Sequence, residues 1–338
     1  MNGSGMGPDV LLEVQDLRTH FVGGHRRTRA VDGVSFELRR GATLGIVGES
    51  GSGKSVMARS LMGLLPLTGL EQSGQVLFEG VDLQRAGRAE RRRLWGPGIA
   101  MVFQDPMTSL NPVFKVGTQI TETLRAHIPL SRSQARQRAV RLLADVHVPD
   151  PEQRLRQYPH ELSGGLRQRV AIAIALSCDP KLLIADEPTT ALDVTIQAEI
   201  LDLLQELQVD RRMSLILISH DLGVVAGRTD EVAVMYAGRF VEHGTTRDVF
   251  NATRMPYTQA LLEAIPRLDQ PSHSLLPVIP GRPPDLGSVP SGCSFAPRCR
   301  FAHDDCRASV PELVHEPGAG HRYACLHPLA SPAVVAPA

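Results

Sequence analysis

The chain has 338 residues, a hydrophobic fraction of 42%, and 36 basic against 36 acidic side chains. This composition is ordinary for a globular protein, and the zero net charge gives no global field that favours nucleic acid or an anionic membrane. Residues 1–10 lack the basic-then-apolar order of a signal peptide, and no apolar run approaches the roughly 18 residues of a membrane span. We therefore expect a cytosolic protein in which any membrane role depends on partners.

The chain before about residue 165 alternates strands with helices and then turns helical. Residues 11–47 alternate apolar and polar side chains and end in a strand before a Gly-rich loop. A helix is predicted over about 54–65, followed by strand, basic helix and strand over 75–103. From about 105 to 165 the period is helical, which predicts a helical insertion.

Strand signals resume after this insertion. Short strands are predicted at 181–185, 214–219 and 231–236. Between the first two of these lies a helix with one apolar stripe, formed by Ile196, Ile200, Leu203 and Leu207. This alternation predicts an α/β fold in which helices cover a mainly parallel sheet.

Residues 48–55 read Gly-Glu-Ser-Gly-Ser-Gly-Lys-Ser and match the P-loop pattern between a strand and a helix. Glycines at this spacing let the backbone wrap phosphates without Cβ clashes. Lys54 is predicted to reach the β- and γ-phosphates, and the Ser55 hydroxyl to ligate Mg²⁺. The alternative is a Gly-rich turn without a ligand. The predicted nucleotide contacts in this loop are Gly48, Ser50, Gly51, Ser52, Gly53, Lys54 and Ser55.

A second motif, Leu-Leu-Ile-Ala-Asp-Glu-Pro over 182–188, is typical of a Walker B strand. Its apolar run buries the strand and delivers two carboxylates to the carboxyl end, where α/β sheets bind ligands. Asp186 is predicted to hold Mg²⁺ through water, and Glu187 to polarise the attacking water. The alternative is a strand that ends in a solvated acidic turn.

A third motif is Leu-Ser-Gly-Gly-Leu-Arg-Gln-Arg over 162–169. Ser163, Gly164 and Gly165 open a helix, where backbone N–H groups can bind an anion. One nucleotide does not need two phosphate-binding turns from one chain, so this one is predicted to contact the nucleotide of a neighbouring subunit. The layout resembles that of ATP-binding-cassette (ABC) ATPases, and it implies an ABC-type P-loop ATPase core with an antiparallel β subdomain, a helical insertion, and ATP and Mg²⁺ as ligands.

The resemblance also assigns two polar residues at strand ends. Gln104, in Val-Phe-Gln-Asp-Pro, is similar to the Q-loop residue, whose amide touches Mg²⁺ or water at the hinge of the insertion. His220 follows a predicted strand and resembles the switch histidine, whose imidazole binds a γ-phosphate oxygen and orients water. The alternatives are a surface glutamine after a strand and a structural histidine at a strand end.

Three further positions are compared with the family pattern. Asp193, in Ala-Leu-Asp, resembles the D-loop that couples two sites across a dimer, although the tripeptide alone would be a helix cap. Phe21 matches the aromatic that stacks on adenine, with core packing as the alternative. Leu166 stands where many members carry Gln; it is interpreted as a lineage trait, with a weakened site as the alternative.

The C-terminal part of the chain indicates a branch of the family. The segments 255–266, 280–285 and 292–299 resemble the C-terminal extension of oligopeptide and dipeptide importer ATPases. We therefore divide the chain into a nucleotide-binding domain over 1–255 and a C-terminal extension over 256–338 that ends in a mobile tail. The first contains the helical subdomain at about 105–165.

This resemblance implies an ATP-hydrolysing subunit of a peptide importer, peripheral on the cytoplasmic face of the membrane. Its implied partners are a second, distinct ABC ATPase subunit, two permease subunits and an extracytoplasmic solute-binding protein. The alternatives are import of nickel, glutathione or an opine by the same machinery, a soluble ABC ATPase acting on DNA or ribosomes, and a nearly inactive regulatory subunit. The basic run 85–93 has Trp95 as its one aromatic neighbour, so it predicts a solvated helix face and no nucleic-acid partner.

Four of the five cysteines lie in the extension, at Cys293, Cys299, Cys306 and Cys325. In a reducing cytosol such a group argues for a metal rather than disulfides. The spacing contains no close Cys-x₂₋₄-Cys pair of the kind that structural zinc sites use. Four thiolates also satisfy a [4Fe–4S] cluster, and the resemblance favours that cluster, because some members of the branch carry one. Zinc and free thiols remain the alternatives.

Overall fold

Two β-sheets and the helices that cover them form the frame of the molecule. The computed structural model describes residues 7–330 apart from 8, 25, 67, 106–108, 191, 266–276 and 316–319. The strands described are, in chain order, β1 (Val10–Gly23), β2 (Arg26–Arg39), β3 (Thr43–Val47), β4 (Leu70–Phe78), β5 (Val81–Asp82), β6 (Ile99–Val102), β7 (Leu182–Asp186), β8 (Ser214–Ser219), β9 (Glu231–Tyr236), β10 (Arg239–Thr245), β11 (Val314–His315) and β12 (Arg322–Tyr323).

The helices described lie between these strands, singly or in succession. They are α1 (Lys54–Met62), α2 (Arg88–Leu94), α3 (Val116–His127), α4 (Arg132–Asp145), α5 (Pro151–Arg154), α6 (Gly164–Ala175), α7 (Val194–Asp210), α8 (Leu222–Val225), α9 (Thr246–Asn251), α10 (Pro256–Glu263) and α11 (Asp304–Ala308).

The larger sheet runs in the order β11-β12-β10-β9-β3-β8-β7-β6. Its strands from β9 to β6 are parallel, and β10, β12 and β11 add antiparallel pairs at one edge. The smaller sheet is antiparallel, in the order β2-β1-β4-β5. The predicted α/β class with a mainly parallel sheet and an antiparallel β subdomain is therefore confirmed.

Two apolar cores lie on opposite faces of the parallel strands. In β7, Leu183 and Ala185 join the core beneath the helical insertion, while Leu182 and Ile184 join the core beneath β1, β2 and α1. Successive side chains of a strand point to opposite faces, so a strand that is buried on both faces must be apolar throughout. This explains why the central strands appear in the sequence as continuous apolar runs.

The helical insertion forms where the sequence predicts it, with α3, α4 and α5 between β6 and α6. Ser131 caps α4, and its hydroxyl accepts the N–H of Gln134 while the Gln134 side chain accepts the N–H of Ser131. The predicted helix 54–65 is shorter than expected. It ends at Met62, because Gly63 adopts a left-handed conformation (φ 64°) and its N–H bonds back to the last turn.

The C-terminal extension is attached to the main sheet by strand pairing. β12 pairs with β10, where Tyr323 lies opposite Glu242. Glu242 is fully buried and bonds His321 at 2.9 Å. The pairing of β10 and β12 has no counterpart in the sequence predictions. The predicted mobile tail, 331–338, lies outside the described residues.

Two surface predictions concern the membrane and nucleic acid. Across the described ranges, no helix combines the length and apolar character needed to cross a bilayer. The basic run forms α2, and no residue of that helix is buried. This matches the solvated helix face predicted for it.

Candidate active site

The P-loop connects β3 to α1 and is tightly enclosed by backbone. A Cβ at Gly48 would overlap with the carbonyl of Met235, and a Cβ at Gly53 (φ 108°) would overlap with the carbonyl of Ala30. Both positions therefore require glycine. Buried Lys54 closes the loop, since its Nζ donates to the carbonyls of Gly48 at 2.8 Å and Glu49 at 3.1 Å.

The end of β7 places Asp186 beside the start of α1. Ser55 Oγ donates to Asp186 Oδ1 at 2.9 Å, and Asp186 is fully buried. Within the described part of the chain, Asp186 Oδ2 and the buried Ser52 Oγ have no hydrogen-bond partner. Buried polar atoms are rarely left unpaired, so both indicate a position where an absent group bonds.

Side chains from three other segments of the chain lie close to the Glu187 carboxylate. Its Oε2 accepts hydrogen bonds from Gln104 Nε2 and Thr190 Oγ1, each at 2.9 Å, and lies 3.3 Å from His220 Nδ1. Its Oε1 lies 3.8 Å from Lys54 Nζ. The structure therefore brings together the P-loop lysine, the carboxylate, the glutamine and the histidine that the sequence predicts as one site.

The backbone at Glu187 adopts the left-handed region, with φ at 47°. For a residue with a Cβ this conformation costs roughly 1–2 kcal/mol. The Glu187 N–H donates to the carbonyl of Ile218 on β8 at 3.0 Å, which fixes the turn that directs the carboxylate toward the P-loop.

Burial governs the ionisation of the charged groups at this edge. It raises the pKa of Asp186 above its ordinary value, with the negative charge of Glu187 adding to the effect and Ser55 opposing it. Burial lowers the pKa of Lys54, and the charges of Glu187, Asp186 and Glu49 oppose that shift. Burial thus disfavours the charged form of both side chains, and a neighbouring group of opposite charge would stabilise each of them in its charged form.

The other predicted contacts lie on a different surface. Ser163 and Gly164 are exposed at the start of α6, and Ser163 Oγ accepts the N–H of Leu166 at 3.3 Å. A Cβ at Gly165 would lie 2.8 Å from Ile196 Cγ2, so glycine permits the close packing of α6 on α7. Asp193 is exposed and caps α7.

For three further predicted nucleotide contacts, the structure gives the position and the exposure of each residue. Phe21 is half-buried near the end of β1, opposite Leu70 of β4. Ser50 and Gly51 are exposed at the tip of the P-loop. Their predicted roles in binding the nucleotide stay predictions.

Sequence reasoning missed three residues of this region. Thr190 lies three residues after Glu187, a spacing that a search for partners of the carboxylate could have flagged. Arg298 and Tyr257 reach the P-loop residue Glu49 from the extension. Nothing in the local sequence pairs residues so far apart.

The four cysteines of the extension form one group. Burial raises the pKa of Cys293, Cys299 and Cys325, the last to about 11, and the charges of the other thiolates raise these values further. Nearby backbone N–H groups oppose these shifts and lower the pKa values in part: those of Phe295 and Ala296 act on Cys293, that of Phe301 on Cys299 and that of His327 on Cys325.

The spacing of the sulfurs is wider than a zinc site requires. Four sulfurs on one Zn²⁺ lie about 3.8 Å apart. Among the described residues, the group of potential ligand atoms that lie within 4.8 Å of one another consists of Asp305, Cys306 and His327. No three of the four cysteine sulfurs form such a group. The remaining cysteine, Cys178, is buried in the helical region, and burial raises its pKa.

The parallel sheet, the P-loop and the Asp-Glu turn together define an ATPase of the ABC class. A family model for ABC transporters matches residues 31–190, and a second, for the oligopeptide/dipeptide transporter C-terminal region, matches residues 241–306. The chain is 50% identical over 320 residues to the dipeptide transport ATP-binding protein DppD of Escherichia coli strain K12, covering 95% of this chain and 97% of that protein. It therefore belongs to the oligopeptide/dipeptide transporter family of ABC ATP-binding proteins.

Further comparisons agree with this membership. The oligopeptide transport ATP-binding protein OppD of Salmonella typhimurium is 50% identical over 321 residues, which is 95% of each chain. A dimeric ATP-binding cassette, MJ0796 bound to ADP and Pi, superposes with a TM-score of 0.63 at 25% identity, over 70% of this chain and 99% of that one. CbiO1 from Clostridium perfringens, described as part of an ABC transporter complex, gives a TM-score of 0.61 at 31% identity, over 72% of this chain and 91% of that one. The family resemblance and the predicted ATPase activity are confirmed.

Proposed function

We propose that this chain is the ATP-hydrolysing subunit of an importer that takes up di- and oligopeptides. One observation carries the proposal. Lys54, Asp186, Glu187 and His220 converge at one edge of the parallel sheet, in a chain half identical to dipeptide and oligopeptide transport ATP-binding proteins over nearly its whole length. The division into a nucleotide-binding domain over 1–255 and an extension over 256–338 belongs to the same proposal.

The P-loop residues fit a polyphosphate. The loop is shaped by glycines that no larger residue can replace, and the buried Ser52 hydroxyl has no partner among the described residues. Lys54 Nζ is held at this loop by two carbonyls, so its charge is oriented before the nucleotide arrives. Phe21 is the candidate for adenine stacking. The proposed phosphate contacts are Gly48, Ser50, Gly51, Ser52, Gly53, Lys54 and Ser55.

The residues beside the P-loop fit Mg²⁺. Ser55 Oγ and Asp186 supply oxygen ligands of the type that this cation prefers, and Asp186 Oδ2 is buried without a partner in the described residues. Gln104 contacts Glu187, and this places its neutral amide within reach of the proposed Mg²⁺ position. When bound, Mg²⁺ would neutralise charge on the β- and γ-phosphate oxygens.

Glu187 and His220 are the proposed catalytic pair. The Glu187 carboxylate accepts hydrogen bonds from Gln104 and Thr190, which restrict its position without removing its charge. A carboxylate held in this way can orient and polarise a water for attack on the terminal phosphate. His220 is half-exposed, so its imidazole can reach a phosphate oxygen while it contacts Glu187.

The exposed signature supports a composite dimer. Ser163, Gly164 and Asp193 are solvent-exposed, so their polar groups are available to a second subunit. The similar cassette MJ0796 is described as a dimer. We propose that each nucleotide lies between the P-loop of one subunit and the Ser-Gly-Gly turn of the other, and that the partner is a related but distinct ATPase chain.

The proposed assembly also contains two permease subunits and an extracytoplasmic solute-binding protein, with this chain peripheral on the cytoplasmic face of the membrane. The names of the relatives, dipeptide and oligopeptide transport ATP-binding proteins, support peptides as the solute. Nickel, glutathione or an opine would be outcomes of a transport assay that contradict this choice.

A [4Fe–4S] cluster is the proposed occupant of the cysteine group. Four sulfurs lie within electrostatic range of one another at a spacing wider than a zinc tetrahedron. Nearby backbone N–H groups lower the pKa of three of them in part, as suits thiolate ligands. The ligands would be Cys293, Cys299, Cys306 and Cys325, and they would fix a proline-rich segment that builds little core of its own.

The function is tested in the assembled transporter in lipid vesicles. We expect Glu187→Gln to lower ATP hydrolysis by about 100-fold or more while ATP still binds, and to stop uptake of a labelled dipeptide. Glu206→Gln is the matched control, since Glu206 is exposed on α7. Hydrolysis that survives Glu187→Gln would contradict the catalytic assignment, and vesicles that take up nickel rather than dipeptide would contradict the solute.

The cluster is tested on anaerobically purified protein. We expect iron and acid-labile sulfide at about four of each per chain, lost in Cys306→Ser and kept in Cys178→Ser. Cys178 lies outside the extension and serves as the matched control. Zinc without sulfide would overturn the iron–sulfur assignment.

A further inference from the structure

Arg298 connects the cysteine region to the P-loop. It lies between Cys293 and Cys299, yet its guanidinium makes a bidentate pair with Glu49, at 2.6 Å from Nη1 to Oε2 and 2.9 Å from Nη2 to Oε1. The Arg298 side chain is 5% exposed and that of Glu49 is 23% exposed. Paired groups this well shielded from water interact more strongly than surface ion pairs.

Further contacts fix the guanidinium in this position. Arg298 Nε donates to the carbonyl of Pro280 at 2.8 Å, and Nη1 also donates to the hydroxyl of Tyr236 at 3.3 Å. A Cβ at Gly281 (φ 74°) would lie 3.5 Å from Arg298 Cγ. The Pro-Gly turn at 280–281 therefore packs against the Arg298 side chain and accepts a hydrogen bond from it. Its hydrogen bond with Glu49 is the main cause that raises the pKa of Arg298.

A second contact reaches the same P-loop residue. The N–H of Glu49 donates to the hydroxyl of Tyr257 at 2.9 Å. The Tyr257 ring packs against Tyr236 and Phe295, with centroids 4.5 Å and 5.2 Å away. Both the backbone and the carboxylate of Glu49 are therefore held by residues that the extension supplies or contacts.

A carboxylate inside a P-loop opposes the binding of a polyphosphate. The carbonyl of Glu49 already bonds Lys54 Nζ, and the charge of Glu49 acts on Lys54. An unpaired carboxylate at this position would repel the phosphates, and the repulsion would grow with their charge. A bidentate arginine removes this penalty because it neutralises the carboxylate and fixes its direction.

We propose that Arg298 is a positioning residue for the ATPase, through which the C-terminal extension neutralises Glu49 and holds the P-loop ready for ATP. The inference rests on the P-loop as the ATP site. It assigns a purpose to the Pro-Gly turn at 280–281 and to the arginine of the Pro-Arg-Cys motif, neither of which has a role in hydrolysis itself.

The test measures binding of Mg-ATP and Mg-ADP to the full-length chain by calorimetry. We expect Arg298→Ala to weaken ATP about tenfold and ADP about threefold, since ATP carries one more phosphate. The double variant with Glu49→Gln and Arg298→Ala should bind ATP within about threefold of the parent chain, because the repelling charge is gone. In the assembled transporter, Arg298→Ala should raise the KM for ATP and leave kcat nearly unchanged.

Two further variants keep the test decisive. Arg298→Gln keeps a polar side chain with an N–H donor at this position but loses the charge and the bidentate geometry. It should also weaken ATP binding about tenfold, and it replaces Arg298→Ala in the test if that variant folds poorly. Arg300→Ala removes an exposed arginine that pairs with Glu263 and should leave both affinities unchanged.

Three results would overturn the proposal: unchanged ATP affinity in Arg298→Gln, equal losses for ATP and ADP, or a double variant as weak as the single one. Lys54→Ala tests separately whether the P-loop is the ATP site. If it is not, this variant would leave ATP binding intact.

Discussion

The P-loop edge and the signature helix teach different things about how this chain works. At the P-loop edge, side chains from four segments meet around Glu187, and Lys54 and Asp186 are buried. At the signature, Ser163 and Gly164 are exposed, and the hydroxyl of Ser163 only caps its own helix. At the P-loop edge the predicted residues meet within the chain, while the signature presents its groups outward. This difference is what the proposed dimer requires, in which each chain supplies halves of two sites.

The largest effect should follow a change at the P-loop edge. Gly53→Ala places a methyl group onto the carbonyl of Ala30 at φ 108°. We expect it to lower the free energy of unfolding by about 3 kcal/mol or more and to abolish ATP binding. Chemical denaturation and nucleotide calorimetry measure the two effects. Normal stability in this variant would show that the P-loop is less enclosed than the structure indicates.

A second variant at the P-loop edge tests whether the buried carboxylate of Asp186 lowers the stability of the folded chain. Burial raises the pKa of Asp186, so the folded state binds this proton more tightly than the unfolded state. The free energy of unfolding therefore decreases as the pH rises from the ordinary pKa of 3.8 through the raised value, and the loss is complete once the pH lies above that value.

Asp186→Asn removes this loss. We expect the nucleotide-free variant to be more stable than the parent chain by about 1 kcal/mol at pH 7, with the advantage vanishing below the ordinary pKa, and to lose Mg²⁺-dependent hydrolysis. Denaturation curves collected across this pH range measure the difference. A variant that is less stable at every pH would contradict the account.

A change at the signature helix should affect activity without lowering stability. A Cβ at Gly164 would lie 3.4 Å from Leu192 Cδ2, an ordinary contact, at the first position of α6. We expect Gly164→Ala to leave the unfolding free energy unchanged or to raise it by about 0.5 kcal/mol. Hydrolysis by the assembled transporter should fall by about tenfold, because in the proposed dimer this turn contacts the partner's nucleotide and the added methyl group would crowd it. Equal activity would indicate that the signature does not contact a nucleotide.

The smallest effect is expected at Leu166, which is half-buried against the core beneath the helical insertion. Leu166→Gln restores the residue common in the wider family. We expect a change of less than about 1 kcal/mol in unfolding free energy and a change of less than about threefold in hydrolysis. A large rise in activity would show that the leucine weakens the site.

Local patterns were sufficient for much of the fold. The strands predicted at 214–219 and 231–236 have the bounds that the structure gives β8 and β9, because a strand buried on both faces must be apolar along its length. Within the stretch predicted to be helical, α4 begins after its serine cap, Ser131. By contrast, the helix predicted to end near residue 65 stops at Met62, since a single left-handed glycine ends it.

The sequence by itself determined the P-loop, the Asp-Glu turn, the signature and the cysteine group, because each depends on residues that lie close together in the chain. Only the tertiary structure decided that Glu187 meets Gln104 and His220, and that Arg298 neutralises Glu49. Such pairs join residues far apart in the sequence, and no local propensity encodes them. They arise when sheet order and packing bring the segments together, and burial then makes each unpaired charge costly enough to require a partner.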